Sequence, residues 1–246
     1  MRLLTWNIHK GIGGVDRRYA LERTEAVIRH YRPDVLALQE VDQGVPRSRL
    51  HDQARLLAER LGFEHVAFAA NVRLTRGRYG NATLSHHPIT HQQNLDLTIP
   101  LKKRRAALYT LLRVPWRGHR LTVHLFNWHL GLSGMERRVQ VRKLLGRRQV
   151  RQLHRNTSRI IIAGDTNDWA GALPGGALGQ AGFDCVTGTA RSALRTFPAW
   201  GPLGALDKVF VRGPLSATHL TRPRLDLARQ ASDHLPVLVD LDLGTA

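Results

Sequence analysis

The chain alternates between short apolar runs and longer polar stretches, and the runs predict the strands of a β-sheet structure. Each run holds three to seven residues, mostly Leu, Ile, Val and Ala. Runs this short and this apolar are typical of strands that are buried on both faces. The predicted strands cover residues 3–6, 35–38, 82–84, 106–112, 121–126, 160–163, 209–211 and 236–241.

Segments with helical periodicity separate several of these strands. The predicted helices cover residues 17–31, 53–61 and about 133–154, and the last of them is strongly basic. Asp16 is a candidate cap for the first helix, which is expected to end before Pro33. No repeat or Ser/Gly linker divides the chain, and the glycine-rich residues 171–182 predict only a loose loop. We therefore expect one α/β domain over residues 1–246.

Acid, amide and imidazole groups stand at the ends of the predicted strands. Four strands end at such groups, namely Asn7, Glu40, His129 and the pair Asp165 and Asn167. Two more strands are preceded by them, at Asp207 and at Asp233 with His234. If these two strands run antiparallel to the others, all of these side chains lie at the same edge of the sheets. Reactive groups that converge on one edge of a rigid scaffold are typical of an active site.

Each of these residues also has a purely structural interpretation when it is considered alone. Asp and Asn are favoured in turns, and we assign Asp168 to such a turn or cap rather than to chemistry. His124 is expected to be a hydrogen-bonded interior histidine. The prediction of an active site therefore rests on the whole set and on its order along the chain.

The composition permits a full hydrophobic core and indicates an anionic partner. Hydrophobic residues make up 42%, and 37 Lys and Arg against 19 Asp and Glu give a formal net charge of +18. Such an excess attracts polyanions, which include nucleic acid, anionic lipid headgroups and phosphorylated small molecules. A single cysteine, Cys185, excludes an internal disulfide and a cysteine-built zinc site. The sequence shows no signal-peptide or membrane-spanning pattern, so we expect a cytoplasmic protein.

Eight short motifs occur in a fixed order between Thr5 and Val237. They are TWNI, LQEVD, YGNATLS, NWHLGL, AGDTND, TFP, LDKVFV and SDHLP. In these motifs the chain resembles the endonuclease/exonuclease/phosphatase superfamily, a deoxyribonuclease-like group of metal-dependent phosphoesterases, and most of all its small bacterial branch. The resemblance implies an α/β (α+β) fold, a four-layer α/β/β/α sandwich of two mixed β-sheets flanked by helices. It also implies hydrolysis of a phosphoester with Mg²⁺ or Mn²⁺ as the cofactor.

The resemblance implies a metal site and a base among the residues at the strand ends. Glu40 is the principal metal ligand, with Asn7 beside it and Asp233 as a second contributor. A carboxylate oxygen is the kind of ligand that Mg²⁺ prefers. Asp165 orients and deprotonates the attacking water, and the Asn167 amide donates a hydrogen bond to the phosphate or to that water.

The remaining residues are implied to hold the phosphate. His234 hydrogen-bonds the scissile phosphate, and Asp207 keeps its imidazole cationic or in the correct tautomer. His129 assists the phosphate or the leaving group. Asn81, in the third motif, is expected to bind substrate by organising the site, although an asparagine at the start of a strand is as often structural.

The sequence leaves three functions open. The first is a DNA or RNA nuclease, endo- or exonucleolytic, which basic segments at residues 73–80, 101–108 and 135–155 support unless they are only solvated faces. The second is a phosphodiesterase or phosphatase for anionic phospholipid headgroups or another small phosphoester. The third, a non-enzymatic polyanion-binding protein, is disfavoured because every implied catalytic position keeps a competent side chain. Trp116, Trp169 and Trp200 are candidates for stacking on bases.

Overall fold

Twelve strands and six α-helices are formed by the residues that the computed structural model describes, which are 1–154, 157–189, 192–223 and 225–244. Strands β1 to β12 are Arg2–Asn7, Val35–Gln43, His65–Arg73, Arg78–Ser85, Ile89–Asp96, Ala106–Trp116, His119–His129, Arg159–Asp165, Asp184–Cys185, Asp207–Arg212, Ser216–Thr221 and Val237–Asp242. Helices α1 to α6 are Leu21–Tyr31, Gln53–Leu61, Gly134–Leu145, Arg148–Arg151, Ala177–Gln180 and Asp226–Ala231. Among the described residues, no helix combines the length and the apolar character needed to cross a membrane.

The strands form two six-stranded sheets of similar construction. The first sheet has the order β11-β12-β1-β2-β4-β3, and the second has the order β5-β6-β7-β8-β10-β9. Each contains one parallel pair, β1 with β2 and β7 with β8, and antiparallel neighbours on both sides of it. Both sheets are therefore mixed, as the resemblance implied.

The sheets lie face to face, and helices cover their outer faces. Leu3 and Val239 of the first sheet pack with Leu125 and Ile161 of the second in the core between the sheets. Outside the first sheet, α1, α2 and α6 share a second core with the β1 and β2 side chains. Outside the second sheet, α3, α4 and α5 share a third core with the β7 and β8 side chains. These layers confirm the predicted α/β/β/α sandwich.

Buried amides join the two sheets close to the strand ends that carry the polar residues. Gln39 on β2 donates from Nε2 to Oδ1 of Asn127 on β7, at 2.8 Å. Asn127 in turn donates from Nδ2 to the carbonyl oxygens of Leu38 and Ala82, at 3.0 and 2.8 Å. The side chains of Gln39 and Asn127 are fully buried. Directional bonds in such a place fix the spacing of β2 and β7, and with it the positions of the residues that follow them.

The helices differ from the predicted ones at their ends. The first helix begins at Leu21 rather than at residue 17, because Asp16 accepts a hydrogen bond from the Arg18 N–H and pairs with Arg23 instead of capping the helix. The predicted basic helix stops at Leu145, before Gly146, and resumes only as the short α4. Residue 155, the end of the predicted basic segment, lies outside the described residues.

Candidate active site

The polar strand ends meet at one edge of the two sheets. In the parallel pair of β7 and β8, His129 lies opposite Asp165. Strand β10 runs antiparallel to β8 and places Asp207, its first residue, opposite the same Asp165. Strand β12 runs antiparallel to β1, so that the residues before it lie near Asn7. The antiparallel orientation on which the sequence argument depended is therefore present in both sheets.

A cavity of about 330 Å³ opens at this edge. Seven of the nine predicted site residues line it, namely Asn7, Glu40, His129, Asp165, Asn167, Asp233 and His234. Asp207 is fully buried one layer behind them. Asn81 is not among the lining residues.

Asp165 lies at the centre of the site. Its Oδ2 accepts a hydrogen bond from Asn7 Nδ2 at 3.0 Å, and its Oδ1 accepts one from the Asn167 backbone N–H at 2.9 Å. The Nε2 atoms of His129 and His234 approach Oδ2 to 3.4 and 3.7 Å. Burial raises the pKa of Asp165 to about 6, although His234, Asn7 and Asn167 act to lower it. This carboxylate can therefore exchange a proton near neutral pH.

His234 is held by a buried carboxylate. Its Nδ1 lies 2.8 Å from Oδ2 of Asp207, and Thr196 donates to the same oxygen from its hydroxyl at 2.6 Å. Burial alone lowers the pKa of His234, but the negative charges of Asp207 and Asp165 outweigh burial and raise it to about 10. The imidazole is therefore cationic at neutral pH, with one N–H directed to Asp207 and the other near Asp165.

Asp165, Asp207 and His234 form a compact acid and imidazole group. Their ligand atoms lie within 4.8 Å of one another, so the group has the spacing of a metal site. A protonated imidazole has no lone pair to give to a metal, and Nδ1 is already hydrogen-bonded to Asp207. The chemistry of the group thus favours a hydrogen-bonded acid and base couple.

Glu40 reaches the cavity through an irregularity in β2. The register between β2 and β4 shifts between Leu38 and Val41, and Glu40 within this bulge has a φ of 55°. A left-handed backbone is uncommon for a residue other than glycine, and such strain concentrates at functional sites. The bulge turns the Glu40 carboxylate toward the second sheet, where His129 Nδ1 lies 3.9 Å from Oε1.

A cation keeps Glu40 ionised. Burial by itself raises the pKa of Glu40, but the charge that His129 carries when it is protonated, together with the Lys10 ammonium, outweighs burial and lowers the pKa to about 2. Burial and the neighbouring Arg105 hold the pKa of His129 well below its usual value, so that imidazole is neutral at neutral pH. Lys10, whose ammonium contacts Glu40 Oε2, is therefore the cation that pairs with this carboxylate.

The backbone conformation around Asp165 allows β8 to lie close to β7. Gly164 has a φ of 137°, and a Cβ at this position would lie 2.1 Å from the Trp128 carbonyl oxygen. Asn167 has a φ of 50°, and its Nδ2 donates to the Leu130 carbonyl oxygen at 3.0 Å. A glycine before the acid and a left-handed turn after it hold β8 tightly against β7.

Asp233 lies at the outer side of the cavity. Its side chain is 31% exposed, and its Oδ1 lies 3.9 Å from His9 Nδ1 and accepts a hydrogen bond from Ser232 at 3.3 Å. The single Ser232 hydroxyl hydrogen lies between two acceptors, and the Asn7 carbonyl oxygen at 2.7 Å is the closer one. Ser232 therefore links the segment before β12 to the end of β1.

The sequence of the chain also matches a known protein family, and the geometry of the site agrees with that match. The model of the Endonuclease/Exonuclease/phosphatase family matches residues 4–234. The chain belongs to this family. Its members are generally phosphoester hydrolases. The family assignment confirms the one that the eight motifs predicted.

Similar proteins share the fold over almost the whole chain. The uncharacterized protein YbhP of Escherichia coli strain K12 is 31% identical over 250 residues, which cover 98% of this chain and 96% of YbhP. An endonuclease/exonuclease/phosphatase structure from Beutenbergia cavernae has a TM-score of 0.78 at 26% identity and covers 100% of this chain and 72% of its own. D. rerio TDP2, solved with a single-strand DNA product, has a TM-score of 0.69 at 20% identity and covers 98% of both chains.

Three residues for which the sequence analysis made a prediction, Asn81, Asp168 and His124, lie outside the cavity and have buried hydrogen bonds. Asn81 donates from Nδ2 to the carbonyl oxygens of Ala106 and Asn127, at 3.2 and 3.0 Å, and so joins the two sheets behind the site. Asp168 is buried and accepts a hydrogen bond from the Leu173 N–H at 2.9 Å, as expected for a turn residue. His124 is an interior histidine bound to the Tyr109 hydroxyl at 2.9 Å.

Several residues in the cavity were not singled out from the sequence. They are Lys103, Arg105, Glu136 and Phe197, and Lys10, which contacts Glu40 without lining the cavity, was not singled out either. Arg105 is 6% exposed, and burial lowers its pKa. Arg105 belongs to the basic segment 101–108, which predicts phosphate contacts or a solvated face but does not indicate which arginine enters the cavity. The Phe197 ring lies 4.8 Å from the His234 ring and belongs to the TFP motif.

Proposed function

We propose that the chain is a divalent-metal-dependent phosphodiesterase. The observation that carries this proposal is the meeting of three differently charged groups in one cavity. They are the ionised Glu40, the acid Asp165 with its raised pKa, and the cationic His234. Phosphoester hydrolysis needs positive charge at the phosphate, a base for the water and hydrogen-bond donors for the developing negative charge.

Glu40, Asn7 and Asp233 would hold the metal ion. Their side chains offer carboxylate and amide oxygens, which Mg²⁺ and Mn²⁺ prefer. The Lys10 ammonium against Glu40 supports this fit, since the carboxylate is already balanced against a positive charge. When bound, the ion supplies Lewis-acid stabilisation of charge on the phosphate oxygens.

Asp165 is the base in this proposal. It takes a proton from water while the water oxygen forms a bond to phosphorus and the bond from phosphorus to the leaving ester oxygen breaks. A proton returns to that leaving oxygen, so the products are a phosphomonoester and an alcohol. The hydrogen bonds from Asn7 and from the Asn167 N–H fix the carboxylate in one orientation for this transfer.

His234 and its neighbours bind the phosphate. The Nε2–H of His234 is free of Asp207 and can donate to a phosphate oxygen. Asn167 gives one amide hydrogen to the Leu130 carbonyl oxygen, which leaves the second for the substrate. Lys103 and Arg105 add positive charge on the wall of the cavity.

Nucleic acid is the substrate that the charge supports first. The formal net charge of +18 and the basic cavity wall suit a phosphate backbone, and TDP2 of similar fold binds DNA. A phospholipid headgroup is the second candidate, which exposed apolar side chains near the cavity favour. A polyanion-binding protein without activity is disfavoured, since the cavity holds both acids and the cationic histidine.

Hydrolysis with and without chelator tests the proposal. Plasmid DNA, RNA, phospholipid vesicles and the activated diester bis(p-nitrophenyl) phosphate are incubated with Mg²⁺ or Mn²⁺. We expect turnover that EDTA abolishes and that Asp165→Asn reduces by about 10² to 10⁴. The matched control is Asp184→Asn, the same change at an exposed position of β9, which should keep wild-type activity.

Circular dichroism shows whether each variant is folded. A folded Asp165→Asn protein with the wild-type rate would contradict the assignment of the base. Absence of metal-dependent turnover on every one of these esters would contradict the proposed function. Plasmid nicking without lipid hydrolysis identifies a nuclease, and headgroup release without nicking identifies a lipid phosphodiesterase.

A further inference from the structure

The large apolar side chains that are exposed in the described residues are concentrated at the edge that carries the cavity. Ten such side chains are exposed, and nine of them lie on loops or element ends at this edge: Val15, Leu50, Leu74, Leu101, Leu132, Met135, Trp169, Trp200 and Leu203. The tenth, Val66, lies at the start of β3, at the opposite end of the sheets. A distribution this unequal is not that of singly scattered surface residues.

Two groups of these side chains flank the mouth of the cavity. On one side, the Trp169 ring packs edge-on against Phe197 at 5.7 Å, and Trp200 and Leu203 lie on the loop that follows Phe197. Both Trp200 and Leu203 are more than two-thirds exposed.

On the other side, Leu132 lines the cavity itself. Lys102 pairs with Glu136 at 3.5 Å, which brings the loop with Leu101 beside the start of α3 and Met135. Six of the nine side chains therefore lie on segments beside the cavity, and the other three, Val15, Leu50 and Leu74, lie on loops of the first sheet at the same edge. We call the nine side chains the apolar rim.

Basic residues accompany four of the nine members of the apolar rim. Exposed arginines stand on both sides of Leu74, at 73 and 76, and shortly before Leu50, at 47 and 49. Leu101 is followed by Lys102, Lys103 and Arg104, and Met135 by the exposed Arg138. Each of these four loops therefore presents an apolar side chain beside cationic neighbours, which is the pattern of a surface that lies in a lipid interface.

We propose that the apolar rim docks on an anionic lipid surface and turns the cavity toward the phosphodiesters of the headgroup layer. Seven of the nine rim residues are aliphatic and have no flat face on which a nucleobase could stack, so these seven gain little from nucleic acid. The same side chains gain by leaving water for acyl chains, while the flanking Lys and Arg pair with lipid phosphates. The substrate class rests on the second candidate of the proposed function, a phospholipid headgroup, but the docking itself does not.

Vesicle co-sedimentation of the full chain in EDTA tests the docking apart from catalysis. The probes are phosphatidylcholine vesicles with and without phosphatidylglycerol, at low and high salt. We expect binding only to the anionic vesicles, reduced at least about tenfold in the double variant Leu101→Ser/Leu203→Ser. Val66→Ser, the same kind of change away from the rim, should bind like the wild type. Asp165→Asn should also bind like the wild type, because docking needs no chemistry.

Three results would overturn the docking. One is equal vesicle binding by the double variant and the wild type, with both folded by circular dichroism. Another is loss of single-stranded oligonucleotide binding in the double variant without loss of vesicle binding, which would assign the rim to nucleic acid. The third is a wild-type dimer that the double variant converts to a monomer with unchanged vesicle binding, which would assign the rim to a second copy of the chain.

Discussion

At the scale of single residues, the site contains two carboxylates that differ in charge because their surroundings differ. Glu40 faces the Lys10 ammonium, and its pKa falls to about 2. Asp165 is buried without a lysine partner, and its pKa rises to about 6. Two acids with separated pKa values can have different roles. Glu40 stays ionised, and Asp165 can take up and release a proton.

The pH dependence of kcat/KM follows from these pKa values. Protonated Asp165 cannot accept a proton, so the rate should fall as the pH drops through about 6. His234 loses its donated proton as the pH rises through about 10, so the rate should fall again there. Asp207→Asn removes the charge that raises the His234 pKa and should move the alkaline limb to lower pH. Asp184→Asn should leave both limbs in place, and an unmoved alkaline limb in Asp207→Asn would contradict the role of this couple.

The strand-end residues were predictable because most of them stand within three residues of an apolar run. Asn7, Glu40 and Asp165 are of this kind. The partners that tune them were not predictable, because Lys10 meets Glu40 across 30 positions and only the fold brings them together. Thr196 likewise lies 11 positions from Asp207 along the chain, and only the fold brings its hydroxyl to that carboxylate.

At the scale of secondary-structure elements, the amide link between β2 and β7 sets the distance across the site. Gln39 directly precedes Glu40, and Asn127 lies two residues before His129. The link therefore holds the candidate metal ligand and the second histidine in register, although they belong to different sheets.

Removal of this link should destabilise the protein and impair the site. Asn127→Ala leaves the Leu38 and Ala82 carbonyl oxygens and the Gln39 amide without their buried partner. We expect the free energy of unfolding to fall by at least about 2 kcal/mol in chemical denaturation. His119→Ala, at the exposed start of β7, should change it by less than about 0.5 kcal/mol. Equal stabilities of the two variants would show that the link is not structural.

The eight inner strands were predicted and the four edge strands, β3, β5, β9 and β11, were not, for a physical reason. Strand β9 has only two residues, too few for a pattern. Strands β1, β2, β7 and β8 are buried on both faces and therefore appear as continuous apolar runs. Strand β5 is exposed at six of its eight residues, and β11 is exposed at four of six. Such strands carry polar side chains on both faces, and β3 has mixed exposure, so the sequence gives them no strand pattern.

At the scale of the whole molecule, the two sheets bring distant segments to one functional edge. Asn7 and His234 are separated by more than two hundred positions, yet both line the same cavity. The apolar rim lies at that same edge, while the described residues of the opposite end expose Val66 alone among large apolar side chains. The two ends of the molecule therefore differ. The cavity residues and the apolar rim are both at one end of the sheets.

Direct measurement of Mn²⁺ binding tests whether these distant residues form one metal site. Isothermal titration of the metal-free protein should show saturable Mn²⁺ binding that Glu40→Gln abolishes or weakens at least about tenfold. Glu59→Gln, the same change on the exposed face of α2, should bind Mn²⁺ like the wild type. Wild-type Mn²⁺ affinity in a folded Glu40→Gln protein would contradict the account, because it would place the metal away from the cavity in which Asp165 and His234 meet.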